Sequence, residues 1–175
     1  MKIAISGPMG SGKSTVANMI KNNNLNYEIY SFGKKVKDVA YDLFNMDKSV
    51  KNRSLLINIA DKMREIDEDV WVKYIINKMG ENSIIDDLRF QNELDYLHND
   101  GNWIYIVLSI DNDVRLDRLK KLYPNNYSDH VKNMGHLSEQ CDLNFYDKSK
   151  VLYLNSGDSL DEIKYNVEYF IKQFN

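Results

Sequence analysis

Apolar and polar positions change period several times along the chain. Alternating or continuous β-branched runs predict strands at 2–6 (KIAIS), 27–32 (YEIYSF), 83–86 (SIID), 103–110 (WIYIVLSI) and 151–154 (VLYL). Between them, apolar residues recur at three- and four-residue spacing. That spacing predicts helices at 14–21, 34–44, 55–66, 70–79, 91–98, about 114–122 and 160–174. The polar stretch 123–150 shows neither period and is expected to be irregular, and Asn22-Asn23-Asn24 is expected to be a loop. Strands alternating with helices indicate an α/β fold, three layers built on a parallel sheet of about five strands with helices on both faces. In such sheets ligands sit beyond the carboxyl ends of the strands. No repeat, low-complexity tract or Pro/Gly linker divides the chain, so a single domain over 1–175 is expected, with a lid-like segment at about 111–150.

Composition narrows the function classes. With 43% hydrophobic residues the chain can bury a core, which excludes wholesale disorder. A net charge of −3 argues against coating nucleic acid or a membrane by bulk charge. Cys141 stands alone, so no disulfide framework or Cys-based zinc site is expected, and His98, His130 and His136 lack metal-ligand spacing. No apolar run approaches the roughly 18 residues of a membrane span. The opening MKIAIS is too short for a signal-peptide core. A soluble, cytoplasmic protein is expected.

The strongest chemical signal is Gly7-Pro8-Met9-Gly10-Ser11-Gly12-Lys13-Ser14, which fits G-x-x-x-x-G-K-[ST] and runs on into Thr15. It has the required context, a strand before it and a helix after it. Such a loop curls so that successive N–H groups point at phosphate oxygens, and the helix N-terminus adds partial positive charge. Gly7, Met9, Gly10, Ser11, Gly12, Lys13, Ser14 and Thr15 are therefore candidate ATP-binding residues. Lys13 would reach the β- and γ-phosphates, and Ser14 would offer its hydroxyl to Mg²⁺. An N-K-x-D guanine signal is lacking, since Asn77-Lys78-Met79-Gly80 has no Asp. The chain is also short for most oligomeric ATPase modules, so a small kinase fits better.

Asp86 and Asp87 follow the 83–86 strand, and Arg89 comes two residues later. An acid there can hold Mg²⁺ or take a proton from an acceptor hydroxyl, and Arg89 can clamp an anion bidentately. The opposing reading has the acids capping a helix and Arg89 pairing with Glu93. Only five of the 23 basic residues are Arg, which makes each worth placing, because a planar fork binds phosphate as Lys cannot. Arg115 and Arg118 share a helix face that could lean over the phosphate loop, or simply face solvent with Asp117. Arg53 and Arg64 suit an acceptor-binding region.

These pieces resemble the bacteriophage-type deoxynucleoside monophosphate kinases, a branch of the P-loop nucleoside monophosphate kinase-like family. The resemblance runs in order through GPMGSGKST, SFGKKVKD with Lys37, the Arg53-led segment ending in Trp71-Val72, and Asp87-Leu88-Arg89-Phe90 with Asn92-Glu93. His136-Leu137-Ser138-Glu139 and the Asn155-Ser156-Gly157 turn complete it. A proline common in the second motif is Lys35 here, and the chain is short for the family, which bears on base selectivity more than on reaction class.

The resemblance implies the P-loop kinase fold and in-line transfer of the ATP γ-phosphoryl group to a deoxynucleoside 5′-monophosphate, with Mg²⁺. It implies Lys13, Arg89, Arg115, Arg118 and Asp87 as catalytic groups, with Ser14 and Asp87 toward the metal. Phe32, Lys37, Arg53, Trp71, Asp86 and Arg89 would bind the acceptor, and Asn155 and Gly157 would pass the adenine. Small nucleotides are then the expected partners, without nucleic acid or membrane and with a homodimer left open. The Lys- and Asn-rich composition suggests an AT-rich genome; for a viral source the compartment would be the host cytoplasm. Two other readings stand beside this one. A kinase of an alcohol such as a nucleoside or dephospho-coenzyme A would use Asp86 or Asp87 as base. A non-catalytic nucleotide switch would bind ATP without acceptor-dependent ADP release.

Overall fold

A computed structural model describes residues 1–23 and 26–174. Five parallel strands form one sheet in the order β2-β3-β1-β4-β5: β1 (Lys2–Ser6), β2 (Glu28–Tyr30), β3 (Ser83–Leu88), β4 (Trp103–Ser109) and β5 (Val151–Asn155). The helices are α1 (Lys13–Asn23), α2 (Phe32–Phe44), α3 (Arg53–Ile66), α4 (Val70–Ile76), α5 (Gln91–Asp100), α6 (Asn112–Leu122), α7 (Tyr127–Lys132) and α8 (Leu160–Lys172). Short 3-10 turns lie at Leu137–Glu139 and Lys148–Lys150.

Successive strand residues point to opposite faces, and the two cores follow that parity. Ile3, Ile5, Ile84, Ile104 and Ile106 pack with Val16, Ala17 and Ile20 of α1 and Ile163, Val167 and Phe170 of α8. Ala4, Ile85 and Tyr105 face the other way, onto Val36 and Ala40 of α2, Leu56 and Ile59 of α3, Trp71 and Ile75 of α4 and Leu94 of α5. Parallel register aligns Ile3 with Ile84 and with Ile104. The carboxyl ends of the strands therefore share one edge, with the phosphate loop near its middle.

The expected three-layer sheet is present, and most elements fall within a few residues of their predicted ranges. The departures have local causes. β2 stops at Tyr30 and α2 starts at Phe32, because the Asp87 carboxylate accepts from the N–H groups of Phe32 and Gly33 (2.8 Å each) and caps that helix. The stretch expected to be irregular contains α7. That short helix is secured from outside, by Asp129, which accepts from Ser54 Oγ (2.5 Å) and the Arg53 N–H (2.6 Å). Asn22 and Asn23 belong to α1 rather than to a loop; Asn24 lies outside the described residues.

Gly7 turns the chain out of β1 with φ +145°, and a Cβ there would lie 2.5 Å from the Leu108 carbonyl oxygen. Gly7→Ala is expected to lower unfolding stability by about 2–4 kcal/mol. Gly80→Ala, with nothing within 4 Å of its added carbon, is expected to stay within about 0.5 kcal/mol. Urea unfolding of the two variants measures both.

Candidate active site

The loop between β1 and α1 borders a cavity of about 780 Å³, lined by Gly10, Ser11, Gly12, Lys13, Ser14 and Thr15. The first main-chain bond of α1 runs from Val16 N–H to the Gly12 carbonyl (3.1 Å), so the N–H groups of Lys13, Ser14 and Thr15 are left for a ligand. Lys13 folds back along the loop, donating to the Gly7 (2.6 Å) and Pro8 (2.8 Å) carbonyls. Burial pulls its pKa down to about 7, and Arg89 acts in the same direction. An incoming polyphosphate would restore the full charge.

The two acids beyond β3 part by strand parity. Asp86 shares the face of Ile84 and reaches α1, where Ser14 Oγ donates to its Oδ2 (2.9 Å). Asp87 shares the face of Ile85 and turns to α2, accepting from Ser31 Oγ (2.7 Å) as well as the two N–H groups of the helix start. The sequence expectation paired Asp87 with Ser14; the acid that Ser14 contacts is Asp86. Burial, then the adjacent Asp87, raises the Asp86 carboxyl above its ordinary value. A hydroxyl beside a carboxylate is an oxygen pair suited to Mg²⁺, which takes its remaining ligands from water and phosphates. Among the described residues no cluster of three or more His, Cys, Asp or Glu could hold a metal by itself.

Three of the five arginines converge on Glu139, whose side chain is fully buried. Arg53 Nη2 (2.5 Å) and Arg89 Nη1 (2.7 Å) donate to its Oε1. The Met9 N–H (2.7 Å) and Arg115 Nη2 (2.5 Å) donate to its Oε2. Burial alone would raise this carboxyl; Arg89, Arg53, the Met9 N–H and Arg115 together hold it below its ordinary value. Arg115 also donates from Nε to the Met9 carbonyl (2.9 Å) and does not line the cavity. It braces the loop from behind, which corrects the expectation of a catalytic lid residue. Met9 is correspondingly tied up: its N–H and carbonyl are taken, and its Sδ lies 3.0 Å from His130 Nδ1. Arg118 does line the cavity, donating to the Ser156 (2.7 Å) and Gly10 (3.3 Å) carbonyls.

Lys37, Lys51, Arg53 and Arg89 border the cavity and lie near one another. Phe32 and Trp71 border it too, but both belong to the apolar core, and Trp71 Nε1 donates to the Ala60 carbonyl (3.2 Å). Arg64 stacks over Phe90 (4.1 Å) and pairs with Glu93 (3.2 Å). The turn expected to pass the adenine follows β5. Asn155 Oδ1 accepts from the Gly157 N–H (2.8 Å) to close the turn, while the cavity is bordered by Ser156 and Asp158. Lys51 was not among the sequence candidates; its signal is its place two residues before Arg53, at the entry to α3. Glu139 was marked only within the His-x-Ser-Glu motif.

Residues 3–142 match a family described as AAA domain, and the chain belongs to that family. No curated protein matches the sequence. Among solved structures the chain is similar to a gluconokinase from Sinorhizobium meliloti 1021, at TM-score 0.62 and 13% identity over 99% of this chain and 92% of the other. It is similar to the shikimate kinase of Aquifex aeolicus vf5 at 0.55 and 19%, over 99% and 98%. It is also similar to a sugar kinase from Janibacter sp. HTCC2649 at 0.58 and 12%, over 98% and 94%. At these identities the likeness shows the fold, the parallel sheet and flanking helices of P-loop kinases.

Removing the charge of Glu139 leaves three buried or half-buried guanidinium groups facing one another. Glu139→Gln is expected to lower stability by about 3–5 kcal/mol at pH 7, read by denaturant unfolding. A loss under 1 kcal/mol would show that the cluster does not hold the loop.

Proposed function

We propose that this protein transfers the γ-phosphoryl group of ATP to the phosphate of a deoxynucleoside 5′-monophosphate. The observation that carries the reading is the acceptor end of the cavity. There Lys37, Lys51, Arg53 and Arg89 stand together, and of these four Glu139 is paired to the two arginines alone, which suits a multiply charged anion.

The carboxylates near the cavity support the same reading. An alcohol acceptor must lose a proton, whereas a phosphomonoester, with a second pKa of about 6, arrives ionised. Asp86 is bonded by Ser14 and Asp87 by three donors. Asp61 is held by His136 (3.0 Å) and Arg64 (3.4 Å). Glu93 accepts the N–H groups of Arg89 (3.0 Å) and Phe90 (3.1 Å) and pairs with Arg64. Among the described residues each of these four carboxylates already has a hydrogen-bond or ion-pair partner, which favours an acceptor that needs no base.

Catalysis then reduces to alignment and charge neutralisation. Lys13 and the free N–H groups of α1 would bind the donor phosphates, and Arg89 and Arg53 would fix the acceptor oxygen in line. Ser14 and Asp86 would hold Mg²⁺, whose chemistry here is to neutralise charge on the transferred group. A second reading has its own support. The structural relatives named gluconokinase and shikimate kinase point to hydroxy-acid acceptors, whose carboxylate the same cations could hold.

An assay of acceptor-dependent ADP release over the deoxynucleoside monophosphates, thymidine, gluconate and shikimate separates the readings. Turnover with a monophosphate and none with the alcohols is expected; the reverse pattern, or ATP binding without turnover, would overturn the proposal. Lys13→Ala is expected to cut kcat by about a hundredfold or more, and Arg89→Lys by about tenfold or more. Asp86→Asn is expected to raise the Mg²⁺ needed for half-maximal rate about tenfold. Asp87→Asn should act chiefly on stability, by about 1 kcal/mol.

A further inference from the structure

We propose that Lys51 is the acceptor-selecting residue of this site: its ammonium, half-buried beside Lys37, Arg53 and Arg89 without a carboxylate of its own, is completed by a doubly charged phosphate on the acceptor. This rests on the phosphate-acceptor reading above and deepens it.

Lys51 lies in the segment between α2 and α3 and borders the cavity. Its main chain is pinned, since the Asn126 side chain donates to the Lys51 carbonyl. Its Nζ sits over the Tyr123 ring, 5.4 Å from the centroid, and Tyr123 in turn stacks on His130 at 3.9 Å. A cation over an aromatic face keeps its attraction while shedding water. Among the described residues, no ion pair or hydrogen bond engages its Nζ.

The neighbours from every side are predominantly basic or neutral. Lys37 comes from α2, Arg53 from α3 and Arg89 from the end of β3. Tyr123 follows α6, and burial raises its phenol pKa, so it stays uncharged. His130 on α7 is pulled down to about 4 by burial, with Lys51 and Arg53 adding to the effect, so it is neutral as well. Glu139 is the facing acid, and both of its oxygens are already shared by guanidinium groups and the Met9 N–H. Asp129, also on α7, is engaged by Ser54 and the Arg53 N–H. Arg53 adds a second unmet donor, because its buried Nε has no partner. A lysine with no ion-pair partner among the described residues and three further cations bordering one cavity form a place for an anion.

Charge selection follows from the same geometry. Burial, then Lys37, Arg53 and Arg89, pull the Lys51 pKa down to about 7. A bound dianion opposes that repulsion and raises the pKa again, so binding takes up a proton. A monoanion such as a carboxylate offsets less of the repulsion and gains less from the site.

Calorimetric titration with the four deoxynucleoside 5′-monophosphates at pH 8, in two buffers of unlike ionisation heat, tests this. At that pH the monophosphate is fully ionised, so proton uptake reports the protein. Uptake of about half a proton or more per site is expected for the wild type, falling toward zero in Lys51→Arg, whose charge is permanent. Lys51→Met is expected to weaken monophosphate binding by about tenfold or more and to leave ATP binding within about twofold. Equal uptake in the wild type and Lys51→Arg would assign the proton to Lys13 and overturn the inference, as would unchanged affinity in Lys51→Met. If none of the four monophosphates binds any of the three proteins, it is the nucleotide reading itself that fails.

Discussion

One buried carboxylate joins the two halves of the site. Glu139 gives one oxygen to the phosphate loop, through the Met9 N–H and Arg115, and the other to Arg53 and Arg89, which border the cavity with Lys37 and Lys51. Guanidinium groups packed close together repel one another, and their burial is costly without a shared anion. Glu139 supplies that anion and fixes three forks in place, one of which also holds the Met9 carbonyl of the loop. A fork held in this way loses little freedom when it meets phosphate, which is what preorganisation means in energetic terms.

The sheet gives that cluster its surroundings. Five parallel strands end on one edge, and side-chain parity at the end of β3 sends Asp86 to the phosphate loop and Asp87 to the start of α2. Two adjacent acids so acquire different work: one faces the donor loop, and the other fixes the helix that carries Lys37. Beyond α6, the short helix and turn that follow deliver Asp129 against α3 and Glu139 against the loop. The lid-like part of the chain is thus tied into the site by buried charge rather than by apolar packing alone.

Much of this was legible in the residues. The strands have strong β-branched runs, the helices have clear three-four spacing, and the phosphate loop has its motif between a strand and a helix. The different directions of Asp86 and Asp87 were legible in principle, since Ile84 and Ile85 already set the parity of that strand, but the motif drew attention to Asp87 alone as the partner of Ser14. What could not be read was long-range. Glu139 meets residues from four other segments, Arg115 is a brace because Met9 lies against it, and α7 exists because Asp129 finds Ser54. Lys51 carries no periodic signal, and its meaning comes from what surrounds it in space.

The central claim is that Glu139 and the acceptor arginines act as one unit, and a double-mutant cycle on stability tests it most directly. Glu139→Gln, Arg53→Met and the double variant would be unfolded in urea at pH 7. The account predicts that the double variant loses less than the sum of the single losses, with a coupling of about 1–3 kcal/mol, because removing both partners leaves no stranded charge at that contact. Losses that add to within about 0.5 kcal/mol would contradict it.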